Sequence, residues 1–143
     1  ADAPKAFGST FAEEHAHPRR QWDRLAGEEA LSETRARFVA EEHERWYGMA
    51  AGFVVPDQPE TVQLVSMWVD PTRRRSGIGA ALVEAVVLWA RERGARRLQL
   101  WVTDTNHQAK SLYARTGFLE TARAQPLPSH PTLQEVLMIR ELA

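Results

Sequence analysis

Two glycines one residue apart, set between the end of a strand and the start of a helix, constrain this chain more than any other feature. The stretch reads Val69-Asp70-Pro71-Thr72-Arg73-Arg74-Arg75-Ser76-Gly77-Ile78-Gly79-Ala80-Ala81-Leu82. The spacing Arg74-x-x-Gly77-x-Gly79 brings bare backbone N–H groups to the positive end of the helix that follows. Such a helix start binds an anion, and a pyrophosphate fits it best. A side chain at either glycine would hold the anion off the amides and disfavour positive φ. Arg74 and Arg75 are the better phosphate ligands, whereas Arg73 reads as solvated.

Other glycine loops fit less well. A triphosphate-binding loop needs Lys-Ser/Thr after its glycines, and here Ala80-Ala81 follows Gly79. A dinucleotide fingerprint needs a third glycine where this chain has Leu82, so a Rossmann-type nucleotide-binding protein is disfavoured. Taken alone, the Gly-x-Gly pair is equally compatible with a tight turn.

The pattern around the loop is that of one α/β domain spanning 1–143. Weak helices are expected at Thr10–His15, Pro18–Ala26 and Glu28–Glu33. Ala36–Glu42 and Trp46–Val55 are rich in Val, Phe, Tyr and Trp and predict a hairpin turning at His43-Glu44-Arg45. Thr61–Val69 predicts a central strand covered on both faces. Residues 77–93 repeat Ile78, Ala81, Leu82, Ala85, Val86 and Trp89 at helical spacing, with Gly94 as the stop. With the strand Leu98–Val102 this makes a parallel strand–helix–strand unit. A cap at Asp104-Thr105-Asn106 leads into a helix over His107–Thr116, stopped by Gly117. Two strands follow, Phe118–Arg123 and Leu133–Arg140, joined by a restricted loop holding Pro126, Pro128 and Pro131.

Composition excludes several functions. The net charge of −1 gives no reason to expect nucleic acid or an anionic membrane as partner. Cysteine is absent, which removes disulfides, thiolate metal sites and a cysteine nucleophile. No apolar run approaches the ~20 residues of a membrane span, and a cytoplasmic protein is expected. His15 and His17 have neither cysteine nor a paired carboxylate to suggest a metal site, so none is expected.

Taken together, Val69-Asp70-Pro71, Arg74-x-x-Gly77-x-Gly79 and the amphipathic helix resemble the acyl-CoA motif of the GNAT superfamily of N-acetyltransferases. Asn106-x-x-Ala109-x-x-Leu112-Tyr113-x-x-x-Gly117-Phe118 resembles its second signature, at the separation expected for one helix and one strand between them. Phe38-Val39-Ala40-Glu41 with Gly48-Met49-Ala50 resembles its strand hairpin. Ala6-Phe7-Gly8-Ser9-Thr10, followed by Glu13-Glu14, resembles a segment of bacterial members. In one respect the chain departs from the family. Five residues precede Ala6, where members usually carry a strand and a helix, so a missing first strand, an exposed sheet edge and a homodimer are expectations.

The resemblance implies a mixed, mostly antiparallel sheet with a parallel CoA-binding core flanked by helices. It implies acetyl transfer from acetyl-CoA to a primary amine of a small molecule, protein or peptide. It places the cofactor on Met67, Trp68, Val69, Arg74, Arg75, Ser76, Gly77, Ile78, Gly79, Ala80, Asn106, Ala109 and Tyr113. A backbone N–H from Met67 to Val69 would meet the developing oxyanion. Tyr113 takes the position of the family's frequent tyrosine, a proton donor to the leaving sulfur; spacing alone would sooner make it a core residue. Asn106 is also a plain N-cap. An amine must be neutral to attack, while a free lysine has pKa ≈ 10.4, so a base is required. Ser66, Glu41, Glu42 and His130 are all open for that role. Trp68 and Trp101, near the ends of the parallel strands, could line the acceptor pocket or be core, whereas Trp89 is core. A CoA-binding module without transfer activity is the alternative reading.

Overall fold

The structure, a computed structural model, describes residues 34–142. The expected helices at Thr10–His15, Pro18–Ala26 and Glu28–Glu33, the Ala6 segment, His15 and His17 lie outside the described residues, as does any test of a missing first strand.

Six strands form one sheet. They are β1 (Arg35–Glu42), β2 (Arg45–Val55), β3 (Gln58–Val69), β4 (Arg97–Thr103), β5 (Leu119–Leu127) and β6 (His130–Glu141), in the order β1-β2-β3-β4-β6-β5. A 3-10 turn (Pro71–Arg73) and helix α1 (Ile78–Glu92) link β3 to β4, and α2 (His107–Arg115) links β4 to β5. All pairings are antiparallel except β3 with β4. This is the mixed sheet with a parallel strand–helix–strand unit that the sequence predicts.

One face of the sheet takes the helices. Ala36, Phe38, Ala50, Val62, Leu64, Leu98, Leu100, Val136 and Met138 form a single core with Ile78, Leu82, Val83 and Val86 of α1. The helix lies close because β2 offers glycines beneath it. A Cβ at Gly48 would stand 2.9 Å from Ile78 and Leu82, and one at Gly52 2.9 Å from Val86. Both helices end alike. The N–H of Ala95 reaches Ala90 O and that of Gly94 reaches Arg91 O; Phe118 and Gly117 repeat the pattern on Tyr113 and Ala114. Each is a glycine-terminated cap that satisfies carbonyls a helix end leaves orphaned.

Several boundaries differ from the sequence expectation. Arg45 belongs to β2, because His43 and Glu44 both take positive φ (53° and 65°) and close a two-residue turn of the kind that matches strand twist. The third strand starts at Gln58 rather than Thr61, after Pro56-Asp57 makes a similarly short turn. It is also not uniformly covered. Ser66 is exposed at φ 57°, and two residues face Ala50 between the pairs Met49–Trp68 and Ala51–Val65. This β-bulge shifts the alternation by one residue. Val62 and Leu64 face α1 before it, Met67 and Val69 after it, and Trp68 is turned to the opposite face.

The proline-rich loop is likewise a correction. Pro126 and Pro131 sit in β5 and β6, joined at Pro128-Ser129. Proline is tolerated there because β5 is an edge strand and β6 has no β4 partner before Glu135.

A candidate acyl-CoA site at the splayed strands

The parallel strands separate soon after they meet. Pairing runs only from Thr61–Arg97 to Gln63–Gln99. At its last rung the Gln99 side-chain amide donates to Gln63 Oε1 at 3.2 Å. Beyond that rung β3 continues to Val69 and β4 to Thr103 without a shared bond. Asp70 N–H donates to Tyr47 O at 2.8 Å, so this edge of the chain points to β2. Alternate residues turn their amides to opposite edges. Trp68 therefore also points its N–H to β2, while Val69, and Met67 one step before it, present theirs to the gap left by β4. Of the three expected donors, the backbone of Trp68 is the one turned away.

At the mouth of that gap the chain makes the loop that the sequence singled out. The Asp70 carboxylate accepts from Thr72 N–H (2.8 Å) and Thr72 Oγ1 (2.7 Å), and those bonds hold its carboxyl below the usual range. Ser76 donates through both its N–H and its hydroxyl to Arg73 O. Arg75 then takes φ 68° and Gly77 φ 90°, and α1 begins. Its first backbone bond outside the turn is Ala81 N–H to Gly77 O at 3.0 Å. The amides of Ile78, Gly79 and Ala80 find no acceptor among the described residues. A Cβ on Gly77 would meet nothing within 4 Å, so that glycine is required by φ, not by space. Gly79 sits in a close packing contact. A Cβ there would stand 3.1 Å from Leu112 of α2 and 3.6 Å from Met67 of β3.

The three arginines divide. Arg74 and Arg75 are exposed and without an ion pair among the described residues. Arg73, expected to be solvated, is held instead. Its Nη1 donates to Glu42 Oε1 at 2.9 Å, and its guanidinium lies 3.9 Å from the centre of the Tyr47 ring. The hydrogen bond to Glu42 raises its affinity for its proton further. Nothing in the sequence joins Arg73 to residues 26 and 31 positions earlier, so the pairing appears only in the fold.

Helix α2 supplies the other wall. Asn106 is its N-cap, its side chain accepting from Ala109 N–H at 3.0 Å. Lys110 pins the helix to Asp104 (2.9 Å) and to Glu120 of β5 (3.1 Å), and those hydrogen bonds raise its pKa. Ala109 and Leu112 pack on the core. Tyr113 is 7% exposed and meets Phe118 edge-on at 5.7 Å, a contact fixed by the helix's glycine cap. Its hydroxyl has no partner among the described residues, and burial pushes its pKa up to about 12.

The remaining candidates scatter. Ser66 sits exposed on the bulge. Glu41 is 2% exposed, not the solvated carboxylate that a hairpin strand suggests, and Glu42 is engaged by Arg73. His130 is exposed at the tip of the β5–β6 hairpin, its Nδ1 2.7 Å from Ser129 O, five residues beyond the last β4 partner. Trp101 is half-buried on the face away from α1, with Arg123 5.9 Å from its ring, while Trp89 is core. A hollow of about 750 Å³ opens elsewhere, at the opposite end of the sheet, among Glu60, Arg93, Arg96, Arg97 and Glu141. Arg97 and Glu141 already pair there at 3.3 Å.

A strand that splays from its parallel neighbour, with unpaired amides at the mouth, defines a mixed α/β protein with an open gap that can receive an anion. The comparisons give the family. The Acetyltransferase (GNAT) family profile matches residues 3–118, and the chain belongs to that family. It is 30% identical over 144 residues to mycothiol acetyltransferase of Beutenbergia cavernae, covering 82% of this chain and 45% of that protein. The chain thus spans less than half the length of that relative. A nourseothricin acetyltransferase structure superposes with TM-score 0.71 at 25% identity, over 77% of this chain and 66% of that one. The Salmonella typhimurium protein yncA, solved with its cofactor acetyl-CoA, gives TM-score 0.66 at 22% identity over 76% of this chain and 65% of that one, a likeness of fold alone. Among the described residues no helix is long and apolar enough to cross a membrane, and no cluster of metal-ligating side chains occurs.

Proposed function

We propose that the chain is an N-acetyltransferase that passes an acetyl group from acetyl-CoA directly to a primary amine of a small molecule, protein or peptide. The observation that carries this reading is the set of free amides at Ile78, Gly79 and Ala80, opening on the gap between β3 and β4. The residues present fit the cosubstrate. The amides and the exposed Arg74, Arg75 and Ser76 offer donors to a pyrophosphate. This reading also assigns Asn106 and Ala109, at the start of α2, to the cosubstrate.

When bound, acetyl-CoA supplies an activated acyl carbonyl and a thiolate leaving group. In this reading the Val69 N–H, with that of Met67, donates to the oxygen on which charge develops. Tyr113 stays protonated at physiological pH, because its pKa of about 12 lies far above it. Its hydroxyl therefore acts as a hydrogen-bond donor to the leaving sulfur. Full transfer of its proton to a thiolate of pKa ≈ 8.5 would run uphill. The base that neutralises the amine is drawn from Glu41, Ser66 and His130. With no cysteine in the chain, a cysteine-linked acyl-enzyme is impossible, and direct transfer is the simplest scheme. Cytoplasmic action and pairing through an exposed sheet edge belong to the same reading.

The test is incubation with acetyl-CoA and a mixed panel of amines, followed by mass spectrometry for acetylated product and by CoA release. Product formation is the expected result. Absence of acetyl-CoA binding by calorimetry would overturn the proposal, and binding without turnover across the panel would favour a silent CoA-binding module.

A further inference from the structure

We infer that Arg73 is a positioning residue that aims the amide loop, held by Glu42 and Tyr47, and not a phosphate ligand. Three ties fasten the Asp70–Ser76 segment to the β1–β2 hairpin. Arg73 Nη1 donates to Glu42 Oε1 at 2.9 Å, the Arg73 guanidinium stacks on Tyr47 at 3.9 Å, and Asp70 N–H donates to Tyr47 O at 2.8 Å. The same residue organises the turn from its other end. Its carbonyl accepts both the N–H and the hydroxyl of Ser76, and that closure carries Arg75 and Gly77 into positive φ immediately before the free amides. A guanidinium fixed at one end and a carbonyl fixing the turn at the other make Arg73 a brace between hairpin and loop. Its charge is offset by Glu42, so the cationic contacts to phosphate are left to Arg74 and Arg75.

The brace has a consequence of definite sign. If attraction of the anion were the only effect, removing the Glu42 carboxylate would leave an extra positive charge beside the loop and tighten CoA binding. If Arg73 must be held for the amides to point correctly, the same change loosens binding. The inference rests on the CoA reading of the loop, so its test includes one readout that needs no CoA.

The experiment compares wild type, Glu42→Ala, Arg73→Ala, Arg73→Lys and the exchange Glu42→Arg/Arg73→Glu. CoA dissociation constants are measured by calorimetry, backbone hydrogen exchange without ligand at Ser76 and Ala81, whose amides are bonded to Arg73 O and Gly77 O, and kcat and KM where turnover exists. We expect Glu42→Ala and Arg73→Ala to weaken CoA binding about 5- to 20-fold. Exchange at Ser76 and Ala81 should quicken, and kcat at saturating acetyl-CoA should stay within twofold. Arg73→Lys, which keeps the charge without the planar stack, should recover only part of the affinity, and the exchange variant more of it. Tighter CoA binding in Glu42→Ala, or unchanged exchange in the loop, would overturn the inference. If wild type binds no CoA, the functional reading fails while the exchange data still decide the brace.

Discussion

The two sides of the splayed strands are built from different materials. On the proposed cofactor side the site is backbone: the amides of Ile78–Ala80, a positive-φ glycine, and a second glycine packed closely against Leu112. On the other face, away from α1, the groups on offer are side chains, among them Trp68, Trp101 and the Arg123 that reaches over Trp101. A backbone site has few ways to be made, so residue spacing announces it. A side-chain site can be assembled from many residue types on many strands, and spacing says little about it.

If that contrast is right, the largest effect should come from adding bulk to the backbone site. Gly79→Val would drive methyl groups into Leu112 and Met67. It should displace the first turn of α1 and weaken acetyl-CoA binding in calorimetry, and in denaturant titration it should cost about 1–3 kcal/mol of stability through overpacking. An equal loss of binding from Trp101→Ala, read by the same calorimetry, would erase the distinction between the two sides.

Next comes Tyr113→Phe, which keeps the ring against Phe118 and removes only the hydroxyl. We expect kcat to fall about 10- to 100-fold with KM for acetyl-CoA within twofold, as for loss of one hydrogen-bond donor to developing charge. The same pair of proteins tests the buried phenol through stability. Its folded pKa of about 12 exceeds the ordinary value of 10.0, so the folded state holds the proton more tightly. That contribution is complete below pH about 10 and is lost as pH rises toward 12, about 3 kcal/mol in all. Denaturant titrations of wild type should show this fall, and the Phe variant should lack it.

A smaller effect separates strain from contact in the loop. Arg75 sits at φ 68°, where a side chain is disfavoured. Arg75→Gly should stabilise the fold by about 0.5–1 kcal/mol in denaturant titration while weakening CoA binding a few-fold. Asn106→Ala should cost about 1 kcal/mol of stability through the lost cap, measured in the same way.

Particular residues show how far the sequence could be read. Helix α1, the parallel pair and the caps at Asn106, Gly94 and Gly117 were legible because apolar period, capping chemistry and positive φ are local. The bulge at Ser66 was not, because a polar residue in an apolar strand does not announce an extra residue opposite Ala50. The hairpin at Pro128-Ser129 was masked by prolines that only edge position makes acceptable. Arg73 reads as solvated in the sequence because Glu42 and Tyr47 approach it through the fold and not through the sequence. Leu112 was visible as an apolar helix position, but its close contact with Gly79 required the packing of α2 on α1.

The central claim is that the first-turn amides of α1 receive the cosubstrate's phosphates. Two-dimensional amide NMR of the chain titrated with CoA tests it most directly. The account predicts saturable shifts concentrated on Gly77, Ile78, Gly79 and Ala80, with those of Val69 and Met67 following. Saturable binding that leaves these amides unmoved and shifts residues elsewhere, such as Arg93–Arg97 around the far hollow, would contradict it.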